Sequence, residues 1–164
     1  MKELILFRHG KAEPHRHDLP DHQRRLAERG GINAKDQALK LKPGAPARMI
    51  VSDALRTIQT AQAIRSAWSS CGINHLPPLT LSCEAYLATA TALMELIRPT
   101  PTDIDVIWVV GHNPGISDLV TALTGDFIGM ATADIVRIEL TLDSWHEITP
   151  HCGSVMAHLP GRGI

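Results

Sequence analysis

Three short clusters in this chain hold side chains suited to gripping a tetrahedral oxyanion. They are Arg8-His9-Gly10, the stretch from Ser52 to Arg56, and Gly111-His112-Asn113. Arg8 and Arg56 present planar guanidinium forks whose spacing matches phosphate oxygens. His9 and His112 each bring a ring nitrogen that can donate a hydrogen bond or attack as a base. Taken singly, each is ordinary. An Arg-His pair after a strand is commonly surface structure, Arg56 is an unexceptional first-turn helix residue, and His112 can serve as a cap. What the three clusters share is their setting: each follows a short apolar run and precedes a helix-like segment.

The elements that must position them can be read in order. Leu4 to Phe7 is a continuous apolar run, as expected of a strand covered on both faces. Residues 11–25 are polar, with Pro14 and Pro20, and read as a loop. A helix is expected from Leu26, with Ala34, Ala38 and Leu41 on one face and a stop at Pro43-Gly44. Gly30-Gly31 weaken its first turns. Met49 to Val51 is a second short strand. Ser52 is then expected to cap a helix with the stripe Ala54, Ile58, Ala61, Ile64 and Trp68. Leu79 to Cys83 reads as a third strand, and Leu87, Ala90, Met94 and Ile97 as a further helical stripe.

Val106 to Val110 is the clearest strand. After it, Asn113 is expected as N-cap and Pro114 as first helical residue, with Ile116, Leu119, Val120 and Leu123 facing the core. Val136, Ile138, Leu140 and Leu142 alternate with polar residues, the mark of a one-sided antiparallel edge strand. A last strand is placed around Trp145 to Ile148, and the tail from His151 to Ile164 is read as loosely packed and given no role. Strands alternating with helices predict an α/β fold: a three-layer α/β/α sandwich, mostly parallel sheet, antiparallel edge strand, one domain over 1–164. In such sheets ligands bind beyond the carboxyl ends of the strands, so the three clusters should converge on one pocket. Helix N-termini after Ser52 and Asn113 would add backbone donors.

Composition narrows the function classes. The chain has 164 residues, 44% hydrophobic and 20% charged, which fits a folded domain rather than a disordered one. Sixteen Lys and Arg against 17 Asp and Glu leave a net charge of −1. That and 4% aromatics argue against nucleic acid as a partner. No apolar run approaches the ~18 residues of a membrane span, and the N-terminus lacks a signal-peptide pattern. Three widely spaced cysteines, Cys71, Cys83 and Cys152, suggest reduced thiols. A cytoplasmic monomer is expected.

Several segments carry a family resemblance. Leu6-Phe7-Arg8-His9-Gly10-Lys11-Ala12-Glu13 is similar to the signature of the histidine phosphatase (phosphoglycerate mutase-like) superfamily. Ser52 to Ala61 and Val109 to Pro114 resemble its second and third motifs. The short chain most resembles the small bacterial phosphohistidine phosphatase branch, the SixA type. Asp21-x-x-Arg24-x-Leu26-x-x-Arg29-Gly30 and Thr132-Ala133 have counterparts there. Arg25, Ala27 and Asp53 depart from the pattern, where Pro, Thr or Asn, and Pro are usual.

The resemblance implies that His9 is a nucleophile forming a transient phosphohistidine, with Arg8, Arg56 and His112 holding the phosphoryl oxygens and no metal or other cofactor required. It implies a phosphorylated protein as partner, such as a histidine-phosphotransfer domain or a phosphocarrier. Positive neighbours should disfavour imidazolium at His9, and a carbonyl near Gly10 is expected to fix its tautomer. Phosphomonoesterases of the superfamily use a carboxyl as general acid. Glu84, at the end of the third strand, is the residue placed for that role here. A small-molecule phosphomonoesterase using Glu84 is therefore the alternative, and a non-catalytic phosphate-binding adaptor a second one. His15, His17, Asp18, Asp21 and His22 invite a metal reading, but their spacing matches no defined metal motif and a solvated loop is expected.

Overall fold

The computed structural model describes residues 1–161. Its strands are β1 (Lys2–Arg8), β2 (Ala47–Ser52), β3 (Leu79–Ser82), β4 (Val106–Gly111), β5 (Ile135–Leu140) and β6 (Gly153–Leu159). The helices are α1 (Glu28–Ala38), α2 (Leu55–Ser70), α3 (Ala90–Ile97) and α4 (Gly115–Thr124). The strands form one sheet in the order β3-β2-β4-β1-β5-β6. The first four run parallel, and β5 and β6 are antiparallel to their neighbours. This is the expected α/β architecture, with two antiparallel strands at one side instead of one.

The continuous apolar runs follow from cover on both faces. Ile5, Phe7, Met49, Val51, Trp108 and Val110 face one core, shared with Ala34 and Ala38 of α1 and Ile64 and Trp68 of α2. Leu4, Leu6, Ile50, Ile107 and Val109 face the other, with Leu93 and Ile97 of α3 and Leu119 and Leu123 of α4. Trp68 and Trp108 meet edge to face with centroids 4.9 Å apart. Their indole N–H groups donate to the carbonyls of Ala38, Leu41 and Pro43. Such a ring pair adds ~0.5–1.5 kcal/mol beyond area burial and ties the α1–β2 link to the sheet.

Five local readings change. Trp145–Glu147 is a 3-10 helix, not a strand. Ser144 and Glu147 form a capping box: the Glu147 carboxylate accepts from the Asp143 and Ser144 N–H groups, which keeps the backbone turned. The last strand is β6, within the tail read as loose, and residues 162–164 of that tail lie outside the described residues. With β6 at the edge, β5 lies inside the sheet. Its alternation has another cause: Arg137 sits at the partly open end of the α1/α2 face, where it pairs bidentately with Glu3 at 2.9 and 3.2 Å. Neither Ser52 nor Asn113 caps a helix by its side chain; Ala54 and Pro114 hold the cap positions. Leu87 lies outside α3, in the left-handed region at φ 50° and half exposed, while Thr89 caps that helix by accepting from Ala92 N–H.

Candidate functional site

Strand register sets the three clusters side by side. Arg8 is the partner of Gly111 across β1 and β4, and Val51 is the partner of Val110 across β2 and β4. The carboxyl ends of the three strands therefore align. Beyond them lies a cavity of about 420 Å³, lined by Arg8, His9, Arg24, Arg56, His112 and Asp21 among others.

His9 is 7% exposed. Its backbone N–H donates to Gly111 O at 3.1 Å, and its Nδ1 lies 2.7 Å from Gly10 O. A carbonyl only accepts, so Nδ1 carries the proton and Nε2 carries the lone pair of the neutral ring. Burial, ahead of the charges of Arg56, Arg8 and Arg24, pushes the ring down to about 4, against the pull of the Gly10 carbonyl. Burial rather than cationic neighbours is thus the main reason that imidazolium is disfavoured.

The Gly10 backbone is itself fixed. Its N–H donates to Thr60 Oγ1 at 3.0 Å, and the Thr60 hydroxyl donates to Arg56 O at 2.7 Å. A Cβ on Gly10 would stand 2.6 Å from Gly30 O, and one on Gly30 would stand 2.2 Å from Lys11 O. The two glycines let the first turn of α1 press against the loop after β1. The helix-weakening Gly30 has its physical reason there. From the other side, Ala133 N–H donates to both Arg8 O and His9 O at 3.0 Å. Gln37 Nε2 grips Ala133 O and Leu159 O, and buried Asp134 accepts from Ala131 N–H, Gly161 N–H and His158 Nε2. The tail read as roleless braces the backbone of His9.

Arg56 is 2% exposed at the start of α2. Nη1 donates to Asp21 O at 2.8 Å and Nη2 to Asp21 Oδ2 at 3.0 Å. Arg8 Nη1 donates to Met130 O at 2.9 Å. Arg24 reaches Asp21 Oδ1 at 3.3 Å. The Tyr86 hydroxyl donates to Asp21 Oδ2 at 2.5 Å. That bond, followed by Arg56, holds the Asp21 carboxyl below its usual range despite burial. Burial and then Asp21 raise the Tyr86 phenol. Among the described residues, those lining the cavity include Lys11, Arg8, Arg24 and Arg56 against the single carboxylate of Asp21.

His112, 4% exposed, stands with its ring 5.2 Å from that of His9 and 5.5 Å from that of Tyr86. Burial, then His9 and Arg56, pushes it down to about 3. Both rings are therefore neutral near pH 7. Asn113 donates from Nδ2 to Met130 O and accepts from Ser117 Oγ, which fastens the loop before β5 to α4.

The structure thus brings Arg8, His9, Arg56 and His112 together and leaves Glu84 outside. Glu84 is exposed on the 3-10 turn Cys83–Ala85 and does not line the cavity. Two residues further on, Tyr86 occupies the position facing His112 and Asp21. Sequence reasoning gave Tyr86 no role, and read Asp21 as a loop carboxylate. The Asp21-x-x-Arg24 spacing was the available signal. His22 Nε2 pairs with Asp53 Oδ1 at 2.7 Å, and His15 stacks edge to face on His17. Among the described residues no group of three or more His, Cys, Asp or Glu side chains is arranged to hold a metal ion. Among them, too, no helix is long and apolar enough to cross a membrane.

Residues 4–80 match the family model of the histidine phosphatase superfamily, branch 1, a stretch that includes the Arg8-His9 and Arg56 clusters. Over that stretch, and in its fold, the chain is similar to members of the histidine phosphatase superfamily. An uncharacterised chloroplastic protein of Arabidopsis thaliana is 27% identical over 152 residues, covering 89% of this chain and 70% of that protein. In structure the chain is similar to a candidate phosphohistidine phosphatase SixA of Nakamurella multipartitia, with TM-score 0.81, 20% identity, and 96% and 94% of the two chains covered. It is also similar to a protein histidine phosphatase SixA complexed with tungstate, with TM-score 0.77, 19% identity and 97% of each chain covered.

Proposed function

We propose that this chain hydrolyses phosphohistidine on a protein, by way of a phosphoryl group carried on His9. The observation that supports it most is the His9 ring. Its Nδ1 proton is committed to Gly10 O, so the lone pair on Nε2 is the nucleophile, among three arginines and beside neutral His112. In the first step His9 Nε2 forms a bond to phosphorus and the phosphorus–nitrogen bond of the donor breaks. The leaving imidazole keeps the electron pair and takes a proton from water. In the second step water attacks phosphorus, the bond to His9 breaks, and inorganic phosphate leaves as the water's proton passes to solvent. Arg8, Arg56 and His112 hold the oxygens through both steps, where fixed donors gain most as charge is redistributed.

The donor's chemistry follows from the acid that the pocket lacks. An ester's alkoxide needs a protonated carboxyl beside it, whereas a phosphohistidine nitrogen takes its proton readily from water. Among the described residues Asp21 is the one carboxyl lining the cavity, and Tyr86 and Arg56 hold it ionised. Glu84 stands outside. A cavity with an open mouth suits a protein-borne phosphoryl group, on a phosphotransfer domain or phosphocarrier. Rapid quench with a phosphohistidine protein should trap an acid-labile phosphoryl group on His9. His9→Ala should abolish turnover yet still bind vanadate through Arg8, Arg56 and His112. Turnover retained in that variant overturns the nucleophile assignment. Glu84→Gln should leave turnover unchanged for both a phosphohistidine protein and an aryl phosphate; selective loss of the ester activity would establish the phosphomonoesterase reading instead.

A further inference from the structure

Ser52 closes β2 and its side chain is fully buried. Its Oγ stands 2.7 Å from His112 Nε2 and accepts from Ala54 N–H at 3.3 Å. A hydroxyl has one proton to give, and a fully buried hydroxyl gives it to a neighbouring acceptor. The Ala54 N–H is a donor and cannot take it. His112 Nε2 is the acceptor within reach. The other ring nitrogen, Nδ1, is buried with no hydrogen-bond partner among the described residues.

We infer that Ser52 is a positioning residue that sets the tautomer of His112. The chain of bonds runs from Ala54 N–H to Ser52 Oγ, and from the Ser52 hydroxyl to His112 Nε2. Nε2 then holds the lone pair and Nδ1 holds the proton. His112 becomes a neutral donor to a phosphoryl oxygen through Nδ1–H. The opposite tautomer would put the Nδ1 lone pair against that oxygen and repel it. Ser52 therefore acts on the oxyanion through His112, and the position that the sequence offered as a helix cap is spent on a histidine instead. The role played by Gly10 O at His9 is mirrored with the nitrogens treated alike: both rings carry the proton on Nδ1, one to free Nε2 for attack and one to offer Nδ1–H as donor.

The inference rests on the phosphatase reading for its catalytic meaning, but its first test does not need turnover. Ring-nitrogen chemical shifts of His112 in the ligand-free wild-type protein should show a protonated Nδ1 and a bare Nε2. A protonated Nε2 would overturn the proposal, whatever any variant does. Ser52→Ala should then lose the tautomer preference, weaken vanadate binding and lower kcat/KM by about 10–100-fold, the usual effect of removing a group that orients a ligand. Ser52→Thr, which restores a hydroxyl, should recover the His112 shifts and most of the vanadate affinity. Ser52→Ala with unchanged shifts and unchanged vanadate affinity would also overturn it. If the wild type turned over no phospho-donor, the phosphatase reading would fall, while the shifts and the vanadate titration would still decide the role of Ser52.

Discussion

A neutral, buried His9 makes the fold sensitive to acid in a calculable way. Its ring is held down to about 4 when folded and returns to about 6.5 when the chain unfolds. Between those values the unfolded state binds a proton that the folded state refuses. Stability contributed by the group is thus full above 6.5 and is lost as pH falls toward 4. Linkage gives a loss of about 2 kcal/mol at pH 5 and about 3 kcal/mol at pH 4 for this one ring. His9→Asn keeps a polar group of similar size that does not titrate. Urea unfolding of both proteins at a series of pH values isolates the term, because the carboxylates contribute equally to each. The wild type should lose about 3 kcal/mol more than the variant between pH 7 and pH 4. With an m-value of ~1–3 kcal/mol/M, the difference between the two midpoint shifts is about 1–3 M urea. Parallel curves for the two proteins would refute the reasoning, and so would an NMR titration of His9 centred near 6.5.

Three further outcomes are expected. Thr60→Val removes the hydroxyl that accepts from Gly10 N–H and should cost about 1–3 kcal/mol in urea unfolding, with turnover falling as the Gly10 carbonyl loosens its hold on His9 Nδ1. Gly30→Ala drives a methyl group into Lys11 O and should destabilise the protein and slow phosphorylation of His9 in rapid quench, whereas Gly72→Ala, open on all sides, should cost only its backbone strain. A chelator should leave turnover of a phosphohistidine protein unchanged, since the cationic groups of the pocket are side chains; loss of activity restored by a divalent cation would overturn that expectation.

The fold was legible where local pattern and tertiary setting agree. Leu4 to Phe7 and Val106 to Val110 are apolar on both faces because helices cover both faces, and their ends marked the pocket. The readings that failed did so for long-range reasons. Whether Trp145 to Ile148 is extended depends on a capping box worth little by itself, and β6 is half exposed, so its sequence carries no continuous apolar run. Ser52 and Asn113 have the right chemistry for caps, but each is claimed by a partner distant in sequence: His112 for one, Met130 for the other. Glu84 was chosen for its place at a strand end. The 3-10 turn there carries it to the surface and brings Tyr86 inward, a rotation that residue type cannot announce.

The sheet order has a consequence in time. β1 ends one residue before His9 and pairs with neither of the strands nearest it in sequence. Its partners are β4 and β5, and Arg8 meets Gly111 only after more than a hundred intervening residues. On a ribosome adding ~5–20 residues per second, that is a wait of roughly 5–20 s. Throughout it Leu4, Ile5, Leu6 and Phe7 have no strand to pair with, and long-range parallel pairing is slow once it becomes available. His9 is therefore made long before the strands that hold it, and is among the last residues to be set in place. A nascent chain holds its histidine long before it holds a site, and throughout that wait the four consecutive apolar residues of β1 are open to a chaperone.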